Sequence, residues 1–132
     1  MKTICKRLVK GQDLLLSIVE IAKEYDIKAG VLLSAVGCLD KARLRDADGV
    51  SIKCVNEQCE ILSLMGTVSK VRTHLHLALS KQGLSAIGGH LVKGCIINTT
   101  CELILGILDN TEYGLIQDES TGYDEIEFKT MK

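Results

Sequence analysis

Along this chain the hydrophobic positions form one helical stretch and then a long succession of strand-like ones. The segment "TICKRLV" reads as a first strand. In "GQDLLLSIVEIAKEYDI", Leu15, Ile18, Val19 and Ala22 recur at the spacing of one helix face. Asp13 or Gln12 stands near the start of that helix, where an aspartate can cap free N–H groups. After it the pattern changes. "AGVLLSAVGCLD" is a continuous apolar run, suited to a strand buried on both faces. "ARLRDA" and "GVSIKCV" are shorter and more polar. "CEILSLMGTVS" and "RTHLHLALS" alternate or nearly so, "HLVKG" follows, "CIINTTCELILGIL" is a long strand, and "DEIEFKT" closes the chain with a period of two. Proline is absent, so the breaks are read from glycine and polar clusters. One helix followed by many strands predicts an α+β fold. The 132 residues are the size of one domain, taken here as 1–132.

Composition refines this picture. Apolar residues make up 46% of the chain and aromatic ones only 3%, so the core must be built from Leu, Ile, Val and Ala. The 16 bases and 17 acids exclude a strongly basic nucleic-acid binder on charge alone. The charges are unevenly placed: Lys2, Lys6, Arg7 and Lys10 open the chain without an acid, and residues 109–128 carry seven acids without a base. The basic start is able to meet phosphate or an acidic partner, and the simpler reading is two solvated faces that attract each other. No signal-peptide h-region follows the basic start, and no apolar run approaches the roughly 20 residues needed to span a bilayer. A cytoplasmic protein without membrane contact is expected.

The six cysteines include no C-x-x-C pair, which removes thioredoxin-like and zinc-ribbon readings. Cys54 and Cys59 flank "VNEQ", where a hairpin would set them opposite each other. A cytosolic chain is expected to keep them reduced. The others sit in apolar runs and read as small buried hydrophobes. Cys95 and Cys101 follow His90 on the next strand, which leaves a Cys/His nucleophile pair as a minor candidate.

The chemistry concentrates in "THLHLALSKQGLSAIGGHL", residues 73–91, which holds all three histidines. Residues two apart on a strand point the same way, so His74 and His76 share one face and Leu75, Leu77 and Leu79 the other. Gly83 offers a turn centre, and an antiparallel hairpin about it sets His76 opposite His90. Three neutral imidazoles make a good shell for zinc or another borderline divalent ion, with one position left for water or substrate. Gly88 and Gly89 fit such a site by allowing close backbone approach or a bulge that re-aims His90. Hydrogen-bonded structural histidines are the alternative, and a slip of one residue would turn His90 to the other face. Glu60, on a neighbouring strand, is the candidate for a fourth ligand or general base. No phosphate-cradling loop and no G-x-S-x-G elbow occurs.

Several blocks in order give the chain a family resemblance: "RLVKGQDLL", "IKAGVLLSAVGCLDKARLR", "CEILSLMGTVS", "HLHLALS", "GGHLVKGCIINTTCELIL" and "DESTGYDEIEF". Together they resemble the PPC domain of bacteria, archaea and plant AT-hook proteins, over nearly the full length. Gln12 stands where the family usually has Glu. The resemblance implies a mainly antiparallel β-sheet with one principal N-terminal helix packed on it, a homotrimer, and a metal ion at His74, His76 and His90. Plant members have largely lost these histidines. Their DNA contact comes from an AT-hook with a proline in its core, which a proline-free chain lacks, so a DNA-binding label transfers poorly. The function expected is a trimeric metal-binding assembly module, with zinc as the metal. The alternatives are a DNA-associated regulator and a purely structural interaction domain. No particular small-molecule ligand or enzymatic activity is indicated.

Overall fold

Asp13 starts the helix: its Oδ1 accepts the Leu16 N–H at 3.0 Å, and its Oδ2 accepts the Gly94 N–H at 2.7 Å, tying the helix start to the loop before the seventh strand. The computed structural model describes residues 1–132. The elements are β1 (Lys2–Val9), α1 (Leu14–Glu24), β2 (Gly30–Arg45), β3 (Ile52–Val55), β4 (Cys59–Val68), β5 (Thr73–Lys81), β6 (Ala86–Leu91), β7 (Ile96–Ile107), β8 (Thr111–Asp118) and β9 (Tyr123–Thr130). The protein is thus mostly antiparallel β-sheet with one short helix. Gln12 completes the turn into α1, its Oε1 accepting the Val9 N–H at 2.7 Å.

The helix face differs from the expected one. Leu14, Ile18, Ile21 and Ala22 are buried, while Leu15 and Val19 are only half-buried at its margin. Both sets have helical spacing. In a helix this apolar, periodicity leaves the rotation about its axis open, and packing on the sheet decides it.

The sheet runs β1-β7-β2-β4-β5-β6, with β3 on β2. β2 absorbs both "AGVLLSAVGCLD" and "ARLRDA" in one strand of 16 residues. One of its edges takes β3 and then β4, and the other takes β6 and then β7. Because β4 and β6 lie on opposite edges of β2 and are joined through β5, strands β2, β4, β5 and β6 close into a small ring. Irregularities between Leu32 and Ser34, Gly37 and Cys38, and Leu39 and Lys41 let β2 bend enough for this closure. Cys54 and Cys59 fall in line along one edge of β2, opposite Arg43 and Leu39, so they do not face each other and both are free.

Leu, Ile, Ala and Cys side chains fill the interior, as the low aromatic content requires. β2 is not buried on both faces: Leu32, Ala35 and Leu39 point inward, while Leu33 and Val36 face out and are exposed. The β8–β9 hairpin forms its own two-stranded sheet. β8 is the strand that the pattern reading missed. Tyr113 anchors the hairpin by donating its hydroxyl to the Gly30 carbonyl at 2.9 Å, and Phe128 packs edge-on against the same ring at 5.5 Å. No helix is long and apolar enough to cross a membrane.

Gly66 holds β4 against β5. Its φ is +145°, and a Cβ there would collide with the His74 carbonyl oxygen. Gly66→Ala therefore forces either backbone strain or loss of the Gly66–Leu75 pairing. We expect a loss of about 2–4 kcal/mol in a urea unfolding experiment, more than a typical surface substitution.

Candidate metal centre

The three histidines converge. On β5, Leu75, Leu77 and Leu79 are buried in the core, so His74 and His76 project from the other face. Gly83 (φ +83°) and Leu84 (φ +70°) turn the chain, and the Lys81 N–H bonds the Ser85 carbonyl at 2.8 Å. The resulting register sets His76 opposite His90. The ring centroids lie 5.2 Å apart for His74 and His76, 5.1 Å for His74 and His90, and 5.6 Å for His76 and His90. One nitrogen from each ring lies within 4.8 Å of the others. Zinc–imidazole bonds of about 2.0–2.1 Å would bring tetrahedral ligand nitrogens to roughly 3.4 Å apart. Side-chain torsions can supply the difference.

Gly88 and Gly89 allow the close approach expected of them. A Cβ on Gly88 would lie 2.8 Å from the Leu77 carbonyl oxygen, and one on Gly89 would lie 2.8 Å from that of Arg45. β6 is thus wedged between β5 and the far end of β2. The β5–β6 register runs unbroken through both glycines, so no bulge is involved in aiming His90.

Glu60 does not join the site. It pairs with Cys38 and Ser80. Ser80 lies four residues along β5 from His76, about 13 Å at strand rise. Glu60 shares the histidines' face but is too far away to ligate with them or to act as a base there. Cys95 and Cys101 are also removed from this chemistry. Both are buried in the core, and burial pushes each thiol up to about 11, against forming a thiolate nucleophile.

Pattern reading missed the residues that surround the histidines. Arg45 on β2 pairs with His90. The Arg72 guanidinium approaches His74 Nδ1 at 3.5 Å and donates to the Asp124 carbonyl at 3.0 Å. Arg45, Arg72, His74, His90, Asp124 and Glu125 border one hollow of about 430 Å³. Arg72 was legible in principle, since it shares strand parity with His74 and His76. Arg45 and Glu125 arrive through long-range pairing and through the closing hairpin, which no local pattern reveals.

The electrostatics favour the neutral form of His74 and His90. Burial first, and then the nearby Arg45 charge, push His90 down to about 4. Burial followed by the Arg72 charge lowers His74, with Glu125 opposing weakly. His90 Nδ1 is buried with no hydrogen-bond partner. A neutral imidazole with an idle buried nitrogen, beside two more imidazoles, suits a divalent ion. In the metal-free protein, the unfolded chain takes up the His90 proton near pH 6.5, whereas the folded chain does so only near 4. Folding stability therefore falls as pH drops through that window and levels off below it. Urea midpoints for metal-free protein between pH 7 and pH 4 should decline accordingly, and an NMR titration should keep His90 uncharged at pH 5.5.

Residues 1–109 match the sequence profile of the Plants and Prokaryotes Conserved (PCC) domain. The chain belongs to this family, the one called PPC above. The match stops before β8, so the closing hairpin lies outside it. A hypothetical protein from Salmonella enterica has the same fold, with a TM-score of 0.94 and 28% identity over 98% of this chain and 94% of its own. A metal-containing protein from Archaeoglobus fulgidus is 32% identical, with a TM-score of 0.79 over 95% of this chain and 92% of its own. In the bifunctional protein GlmU of a Synechococcus strain, a segment is 40% identical over 127 residues. That segment covers 95% of this chain, which spans only 20% of that relative's length.

Proposed function

We propose that this PCC-domain protein is a metal-binding assembly module, a homotrimer whose chains each hold one divalent ion on His74, His76 and His90. The observation that carries the reading is the convergence of three imidazoles, one with a buried and unpartnered nitrogen. Imidazole ligands suit zinc, copper, iron and nickel, and a three-nitrogen shell with an open fourth position is a familiar zinc arrangement, so zinc is the proposed metal. The 32% identical archaeal protein, described as metal-containing, supports the same reading. A bound ion would supply a Lewis acid with one open position. The chain's own part is to fix the two β5 rings by strand parity, bring up the third by hairpin register, and favour the neutral form of His74 and His90 through burial. Trimeric association rests on the outward apolar residues of β2 and β4 and on the family resemblance. Elemental analysis after zinc loading and extensive dialysis tests the metal: one zinc per chain is expected, and a protein that retains none defeats the reading.

DNA regulation is the less favoured function. The net charge is −1, and the chain lacks the basic–aromatic interleaving of single-strand binders. Fluorescence anisotropy at physiological salt should give DNA affinity no tighter than non-specific binding, roughly 10⁻⁴–10⁻⁶ M. Sequence-dependent nanomolar binding would reverse the preference.

A further inference from the structure

We infer that the histidine site takes a small oxyanion, a carboxylate or phosphate group, which reaches the metal's open position and is held by Arg45 and Arg72. The inference rests on the metal reading above and names the chemistry of the ligand.

Three observations lead to it. Arg45 Nε is buried and has no hydrogen-bond partner, so one of the donors of a permanently charged guanidinium is idle beside His90. Guanidinium donors form a fork matched to carboxylate and phosphate oxygens. A buried donor without a partner is costly, and an acceptor brought against Nε by a small movement of the side chain would relieve that cost.

The second observation concerns Arg72. Its Nη2 lies 3.5 Å from His74 Nδ1, and a guanidinium can only donate, so that nitrogen must be the acceptor. A metal on Nδ1 would take the same lone pair. A metal on Nε2 would require the ring proton to sit on Nδ1, facing the Arg72 donor. Either way a metal-ligating neutral His74 gives up the Arg72 contact and frees Nη2 for another acceptor. Nη1 stays tied to the Asp124 carbonyl at 3.0 Å, which keeps the guanidinium at the hollow.

The third observation is the charge and size of the space. Arg45 and Arg72 are offset by Asp124 and Glu125 at its border, so a divalent ion leaves the site with about two positive charges in excess. The volume, about 430 Å³, suits a small ligand. A cationic ligand would meet the ion and both guanidiniums. An oxyanion meets complementary partners on each side.

Cobalt-loaded protein tests this, because its visible absorption reports changes in the coordination sphere and elemental analysis counts the metal separately. Titration with inorganic phosphate and with acetate should give saturable spectral changes. Whichever binds more tightly identifies the headgroup class. Arg45→Gln and Arg72→Gln should each keep one cobalt per chain while weakening the anion roughly tenfold, the loss of one charged hydrogen bond. Arg45→Lys, which keeps the charge but loses the fork, should fall between. A protein that holds no cobalt fails the metal reading and takes this inference with it. A protein that holds cobalt but shows no spectral response to either anion overturns the inference alone. So do arginine variants that retain cobalt and bind anion with wild-type affinity.

Discussion

Alanine at His90 is expected to weaken metal binding by roughly 100-fold or more while leaving the metal-free protein at least as stable as wild type. Losing even an outer-shell partner of a metal ligand costs about 10–100-fold in affinity, and losing one of three ligands should cost no less. The second half of the expectation separates the two readings of the histidines. Were His90 a structural residue held by hydrogen bonds, its removal would strand those partners and destabilise the fold. Its Nδ1 instead has no partner and is buried, so truncation removes an unsatisfied polar atom. Zinc at 100 times its dissociation constant should stabilise the wild-type fold by about 2.7 kcal/mol through mass action, and the same zinc concentration should stabilise His90→Ala by about 0.4 kcal/mol or less. Competition with a chromophoric chelator measures the affinity, and thermal unfolding with and without zinc measures the stability. A variant that keeps wild-type zinc affinity would remove His90 from the site. A variant destabilised without metal would favour the structural role.

The histidine hairpin was legible in the sequence because it is local. Strand parity placed His74 and His76 on one face, and Gly83 set the register that pairs His76 with His90. Both are short-range properties of a chain whose alternating leucines leave one way to fold the strand inward. What surrounds the hairpin depends on closure of the sheet. Arg45 reaches His90 only because β2 is long and bent enough to pair with β4 on one edge and β6 on the other. The pattern divided β2 in two where its composition turned polar, and so hid that closure. Glu60 was placed too near because a carboxylate on a neighbouring strand says nothing about distance along it. β8 was missed because "TEYGLIQD" contains a glycine and little alternation. Its stability comes from pairing with β9 and from the anchored ring of Tyr113 rather than from its own pattern.

Charge placed on the outer face of β2 and β4 should dissociate the proposed assembly. Leu33 and Val36 on β2 are 46% and 58% exposed, and Leu62 and Met65 on β4 are 57% and 66% exposed. The two strands are neighbours, so these side chains belong to one face of the sheet. Met65 pairs directly with His76, which carries the strip to the edge of the candidate metal centre. Contiguous exposed apolar surface of this kind is uncommon on soluble monomers, and α1 leaves this face uncovered. A second copy of the chain would cover it, and the resemblance implies three copies in all. Light scattering of the wild-type protein at micromolar concentration should give a mass near three times 14.4 kDa. Leu62→Asp would bury an unpaired carboxylate in such an interface, which costs several kcal/mol and exceeds what one leucine contributes there. That variant should run as a monomer with an unchanged circular dichroism spectrum, because residue 62 faces away from the core. The location of Met65 adds a second readout: if a neighbouring chain helps to close the histidine site, the monomeric variant should also bind zinc more weakly than wild type. A wild-type monomer would refute association altogether, whereas a wild-type dimer would refute only the number three.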